Sequence, residues 1–109
     1  MNGFKKREKG EEAKYAKDEE FRFKAQARRN KLLGQWAADK MGFSESKLAD
    51  YITELVHLGL ENSGDDGLFA KIRADFDAAN IEQSDHQIER TMSDLLTAAK
   101  QQLSDENSS

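Results

Sequence analysis

The sequence predicts an all-α protein, a four-helix bundle-like domain with a long first helix and a flexible N-terminal leader. Three observations support this prediction. Apolar residues recur at helical spacing in four stretches, alternation at period two never persists, and none of the 109 residues is a proline. Because 37% of the residues are hydrophobic and 35% are charged, the core of a single domain has to be gathered from several helices.

Residues 1–19 are predicted to form the flexible leader. Phe4 and Tyr15 are its only large apolar residues, too few to offset the conformational entropy lost when the segment becomes ordered alone. Most of the other residues are good helix formers, so the segment can become helical against a second surface. Gly10 weakens a free helix there by about 1 kcal/mol relative to alanine.

The long first helix is predicted over residues 20–42. Its apolar face comprises Phe21, Ala25, Leu32, Leu33, Trp36 and Ala37. Gly42 suits the position after the last helical residue, where the backbone turns left-handed. Arg22 and Arg29 project into the apolar face, which leaves two interpretations. Their stems lie along the rim of the core, or their guanidinium groups bind the carboxylate or phosphate of a partner.

The second helix is predicted over residues 45–59. Ser44 or Ser46 opens it as an N-cap, and Gly59 closes it. Its apolar face comprises Leu48, Tyr51, Ile52, Leu55 and Val56. A short connection after it favours an antiparallel third helix.

The third helix is predicted over residues 66–80. Asp65 or Asp66 caps its N-terminus, and Asn80 suits its C-terminus. Its apolar face comprises Leu68, Phe69, Ile72, Phe76 and Ala79. The two aspartates lack the ligand spacing of a calcium-binding loop, so no metal site is predicted.

The fourth helix is predicted over residues 85–103. Ser84 and Gln87 have the spacing of a capping box at its N-terminus. Its apolar face comprises Ile88, Met92, Leu95, Leu96, Ala99 and Leu103. The four helices together form a predicted domain over 20–104, followed by a mobile polar tail at 105–109.

The residues indicate no enzyme. The chain has no cysteine. Of its two histidines, His57 projects to the polar face of the second helix and His86 lies in the first turn of the fourth. No phosphate-binding loop or dinucleotide-binding glycine motif is present. No apolar run approaches the roughly 20 residues of a membrane-spanning helix, so we expect a cytoplasmic protein without direct membrane insertion.

The net charge of −4 conceals an asymmetry. Residues 21–42 carry six basic and one acidic residue, whereas residues 43–109 carry five basic and fourteen acidic residues. The acidic part argues against a nucleic-acid partner. The basic row Lys24, Arg28 and Lys31, with Arg22 or Arg29 beside it, allows two interpretations. It is a solvated face that complements the acidic body, or it binds an anion such as a phosphate of ATP or ADP.

One segment also resembles a known family. Residues 11–42, EEAKYAKDEEFRFKAQARRNKLLGQWAADKMG, are similar to the zeta subunits of alphaproteobacterial F-type ATP synthases, small four-helix proteins that inhibit ATP hydrolysis by the catalytic head. The run A-R-R-N-K-L-L-G-x-W-A-A is its most specific part. After Gly42 the resemblance rests on chain length and the four-helix pattern.

The resemblance implies a regulatory subunit with no catalytic activity and no cofactor chemistry of its own. Its N-terminal segment would enter a catalytic αβ interface, contact the central stalk, and stop rotation in the hydrolysis direction more than in the synthesis direction. The implied partners are the α, β and γ subunits. The protein would be peripheral to the inner membrane through the synthase.

The resemblance places the inhibitory segment at residues 1 to about 19. Its partner-binding residues would be Phe4, Arg7, Glu8, Lys14, Tyr15 and Asp18. The chain departs from the family pattern at Lys5 and Lys6, where acidic residues are common, and at Gly10, where a helix former is usual. The glycine alone would weaken a helical insertion about fivefold. The two lysines would alter which catalytic head is accepted.

Overall fold

Four helices make up the described part of the chain. The computed structural model describes the backbone of residues 2–61 and 64–108, and the side chains of residues 19–61 and 64–106. The helices are α1 (Asn2–Met41), α2 (Glu45–Gly59), α3 (Gly64–Ala78) and α4 (Asp85–Ser108). No strand occurs among these residues, and the predicted all-α, four-helix fold class is confirmed. The division into a flexible leader and a helical domain stays a prediction, because the leader side chains lie outside the described residues.

The helix ends follow the local signals closely. α1 stops at Met41 because Gly42 adopts a left-handed backbone with φ of +71°, and Asn80 does the same beyond α3 with φ of +58°. The predicted capping box forms at the start of α4. The Ser84 N–H donates to Gln87 Oε1 at 2.9 Å, and the Gln87 N–H donates to Ser84 Oγ at 3.1 Å.

The caps of α2 and α3 differ from the prediction. Ser44 is the residue before α2, but its hydroxyl makes no capping hydrogen bond and lies 3.4 Å from the hydroxyl of Ser46. α3 begins at Gly64, so Asp65 lies inside its first turn and its carboxylate accepts from Arg29 of α1 instead of capping the helix. Asp65, which was one of the two predicted caps, therefore forms a tertiary ion pair instead.

α1 is the helix on which the others are assembled. It packs against α2 and α4, and α3 packs against both of these. The core consists of buried residues from all four helices, namely Ala25, Leu33, Ala37, Ala38, Tyr51, Leu55, Leu68, Ile72, Phe76, Ile88, Met92, Ala99 and Leu103. Most of them come from the predicted apolar faces. Of the residues predicted for the apolar faces, Ala79 is exposed, because it follows the end of α3.

Aromatic contacts join the helices inside this core. The rings of Trp36 and Phe76 lie 5.4 Å apart between α1 and α3, and those of Phe43 and Tyr51 meet edge to face at 5.5 Å. None of the described helices has a stretch long and apolar enough to cross a bilayer. The described residues also contain no group of three side chains able to hold a metal ion.

Candidate functional site

The predicted inhibitory residues cannot be placed in the site. Phe4, Arg7, Glu8, Lys14, Tyr15 and Asp18 all lie outside the residues whose side chains the structure describes. The described site is therefore the part of α1 that follows them, together with the helix ends that meet it. We call residues 27–38 the signature segment, because they contain the run A-R-R-N-K-L-L-G-x-W-A-A.

The signature segment is mostly internal to the fold. Leu33 and Ala37 are fully buried, and Ala38 is 1% exposed. The polar Arg29 and Asn30 are almost as inaccessible, at 2% and 1%. Its most specific residues therefore hold the other helices onto α1, which is a structural role.

Arg29 connects α1 to α3. Its guanidinium donates from Nη2 to Asp65 Oδ1, and its Nε donates to Asn30 Oδ1 at 2.8 Å. The charge thus has a carboxylate partner and an amide partner inside the protein, as a buried guanidinium requires. Neither prediction for Arg29 described this, because its head group is neither at a solvated rim nor free for another molecule.

Arg22 was assigned to the same apolar face, but it is exposed. The difference follows from its position along α1. Among the α1 side chains that the structure describes, the first fully buried one is that of Ala25, and Arg22 precedes it. An apolar face identified by periodicity alone does not reveal where its covering ends.

Two glycines let α1 and α2 approach closely. A Cβ atom on Gly34 would lie 3.1 Å from the Cα atom of Ile52, so the two backbones meet there. A Cβ atom on Gly59 would lie 2.8 Å from Asn30 Cγ, so the end of α2 rests on the Asn30 side chain. A larger residue at Gly34 would press on the backbone of α2, and one at Gly59 would displace the Asn30 side chain.

Asn30 is held on both sides by these contacts. Its Oδ1 accepts from Arg29, which turns its Nδ2 toward α2, where that buried nitrogen has no hydrogen-bond partner. Sequence reasoning missed Asn30, Gly34 and Gly59 as contact residues. A helical glycine costs about 1 kcal/mol relative to alanine, and this penalty was the available signal of a close approach.

Arg28 connects α1 to the last turns of α4. Its two Nη atoms donate to both carboxylate oxygens of Glu106, with Nη2 to Oε1 at 2.9 Å, and Nη1 also lies 3.4 Å from Gln102 Oε1. The hydrogen bond from Arg28 lowers the pKa of Glu106 below its usual value. α4 continues to Ser108, five residues beyond the predicted end at 103.

The five basic residues proposed for anion binding do not form one cluster. Arg29 faces α3 and Arg28 faces α4, whereas Lys24 pairs with Glu20 one turn before it at 3.0 Å. Lys31 is exposed, as is Arg22. The basic residues recur along α1 with the predicted helical spacing, but each of them contacts a different part of the protein or solvent.

A separate polar cluster joins α2 to α3. Tyr51 donates from its hydroxyl to Asp75 Oδ2 at 2.8 Å, and Lys71 pairs with Glu54 at 3.1 Å and with Asp75 at 3.2 Å. Burial, followed by the bond to Asp75, raises the pKa of Tyr51 above its ordinary value. These residues, together with Phe43, line a cavity of about 500 Å³. Each group here has a partner within the cluster, which stabilises the helix pair.

Comparison with protein families gives a match over nearly the whole chain. The family model ATPase inhibitor subunit zeta matches residues 1–102, which include the leader, the signature segment and most of α4. No curated protein sequence matches the chain significantly. The match covers nearly the whole chain and agrees with the resemblance carried by the signature segment. The chain belongs to the ATPase inhibitor subunit zeta family.

Proposed function

We propose that this chain is a non-catalytic inhibitory subunit of an F-type ATP synthase, and that residues 1–19 insert at a catalytic αβ interface of the head to block ATP hydrolysis. One observation carries the proposal. The family match begins at residue 1, whereas the described core begins at Ala25 and runs to Leu103. The family match therefore includes the residues before this core. The proposed partner-binding residues lie among them.

The body supports this role by fixing the first helix. α1 is tied to α4 by Arg28, to α3 by Arg29, and to α2 by the close approach at Gly34. A helix held in this way is already nucleated, so each further residue costs less to order than the first turn of a new helix. The leader can therefore become ordered inside the interface by helix propagation from the fixed part of α1.

The proposed partners are the α and β subunits that form the interface and the γ subunit of the central stalk. A helix wedged between subunits and touching the stalk would oppose rotation in one direction more than in the other. Hydrolysis would then be blocked more than synthesis. The protein would be peripheral to the membrane through the synthase. Lys5, Lys6 and Gly10 predict a weaker or differently selective inhibitor.

The alternative proposal is an anion-binding module that uses the basic side of α1 to hold a phosphate of ATP or ADP. Arg22 and Lys31 favour it, because both are exposed and no acidic residue occurs between positions 21 and 31. An anion at Arg28 would have to displace Glu106, and one at Arg29 would have to displace Asp65. The expected affinity is correspondingly low.

Adding the purified full chain to its cognate ATP synthase tests the proposal. We expect ATP hydrolysis to fall in a saturable way, while ATP synthesis driven by a proton gradient falls much less, because the inserted leader opposes one direction of rotation. Both rates should be measured on the same membrane vesicles. An anion-binding module without the inhibitory function would leave hydrolysis unchanged, and that result would contradict the proposal.

A further inference from the structure

We propose that Phe23 and Leu60 form a docking surface, the Phe23–Leu60 patch, that binds the outer face of the synthase head beside the point where the leader enters. This inference rests on the proposed function. Phe23 is 57% exposed and Leu60 is 47% exposed, and they are the exposed large hydrophobic residues of the described part of the chain. Single exposed apolar side chains are common on protein surfaces, but two that lie in one region form an apolar surface that a partner can cover.

The two residues belong to one region of the surface. Gly59, the last residue of α2, rests on Asn30 of α1, so Leu60 follows directly at that edge. Phe23 precedes Asn30 by seven residues, which is about two helical turns along the same side of α1 and about 10 Å away. α2 covers this side of α1 around Asn30 and Gly34 but ends before it reaches Phe23.

The position of the patch on α1 argues for the synthase head as its occupant. α1 is one helix from Asn2 to Met41, and Phe23 lies about 8 Å along its axis from residue 18. A partner that holds the leader up to residue 18 must therefore come close to Phe23. Phe23 is therefore among the first residues of the body that the partner meets.

Charge indicates the chemistry of the docking surface on the head. Residues 21–31 contain five basic and no acidic residues. Arg28 and Arg29 pair with carboxylates of the same chain, whereas Arg22 and Lys31 are exposed and project to either side of Phe23. The matching surface is an apolar depression with carboxylates at its rim. The apolar contact would supply most of the affinity, and the charges would orient the approach.

The test uses the full chain with Phe23→Ser and Leu60→Ser together, titrated against the purified cognate head. Binding is measured directly with a labelled chain, and ATP hydrolysis is measured in parallel. We expect the half-inhibitory concentration and the dissociation constant to rise by at least about tenfold, as for loss of a central apolar contact. Maximal inhibition should be unchanged, because the leader still inserts at saturation.

Two controls accompany this variant. Ala70→Ser with Ala74→Ser places two serines on exposed positions of α3 and should change neither constant. Phe23→Leu keeps an apolar side chain and should retain most of the affinity. Thermal denaturation of every variant checks that the fold is intact.

The outcomes separate the patch from the proposed function. If the wild-type chain inhibits and the double serine variant inhibits at the same concentration, the patch is refuted while the function stands. If the wild-type chain binds without inhibiting and the variant loses binding, the docking surface stands and the proposed function fails. Absence of binding by the wild-type chain would overturn both.

Discussion

Deletion of residues 2–18 is expected to abolish inhibition of ATP hydrolysis and to leave the helical body folded. The described core begins at Ala25, so the deletion removes none of its residues. The free energy of unfolding should change by less than about 0.5 kcal/mol, the range of changes away from buried contacts. The rate of hydrolysis in the presence of the shortened chain should match the rate without it. This should hold even at concentrations at which the full chain saturates the head.

A competition experiment makes this deletion informative. The shortened chain keeps Phe23 and Leu60, so it should still occupy the docking surface and displace the full chain from the head. Hydrolysis should then recover as the shortened chain is added. Inhibition that survives the deletion would show that the leader is not the effector and that the body itself blocks the enzyme.

Asp65→Asn is expected to lower the free energy of unfolding by about 2 kcal/mol, because it leaves the buried guanidinium of Arg29 without its carboxylate. The Asp65 side chain is 63% exposed, and solvent screening keeps the cost below that of a fully buried ion pair. The thermal midpoint should fall by about 10 °C. Chemical denaturation followed by circular dichroism measures the change.

Asp66→Asn is the matched control. Asp66 is the neighbouring residue in the first turn of α3, so both substitutions remove the same charge from the same helix end. The control should change stability by less than about 0.5 kcal/mol. Arg29→Met combined with Asp65→Asn should recover part of the loss, since no charge is then buried without a partner. Equal effects of the two asparagine variants would mean that the ion pair contributes nothing.

Several features of the fold that depend only on neighbouring residues were predictable from the sequence, although the caps of α2 and α3 were not. Gly42 and Asn80 adopt left-handed conformations at helix ends, and the capping box of Ser84 and Gln87 forms as its spacing predicts. These features need only a few consecutive residues, so local propensity is sufficient to determine them. The apolar faces were predictable for the same reason, since helical period places them.

The features that depend on distant residues were not predictable. Nothing near Arg29 in the sequence identifies Asp65 as its partner, because the two residues meet only when α3 packs onto the body. The same holds for Arg28 and Glu106, which join α1 to the end of α4. Periodicity shows that a side chain projects toward the core, but not which side chain of another helix it will meet.

The candidate site shows the same limit. The signature segment identified the family and its apolar residues were predicted to pack, but the internal contacts of its arginines were not predicted. The exposed Phe23 lies four residues before this segment. Helical period alone does not show whether another helix covers that position. To predict that Phe23 is exposed, one must know where α2 ends relative to α1, and this depends on how the helices pack together.

We propose that an anchored body presents a leader that becomes ordered inside another protein. Amide hydrogen exchange of residues 4–16, in the free chain and in its complex with the head, tests it most directly. The account predicts rapid exchange in the free chain and at least about tenfold slower exchange in the complex, with unchanged exchange around Leu33. Exchange in the free chain that is already as slow as at Leu33 would contradict it.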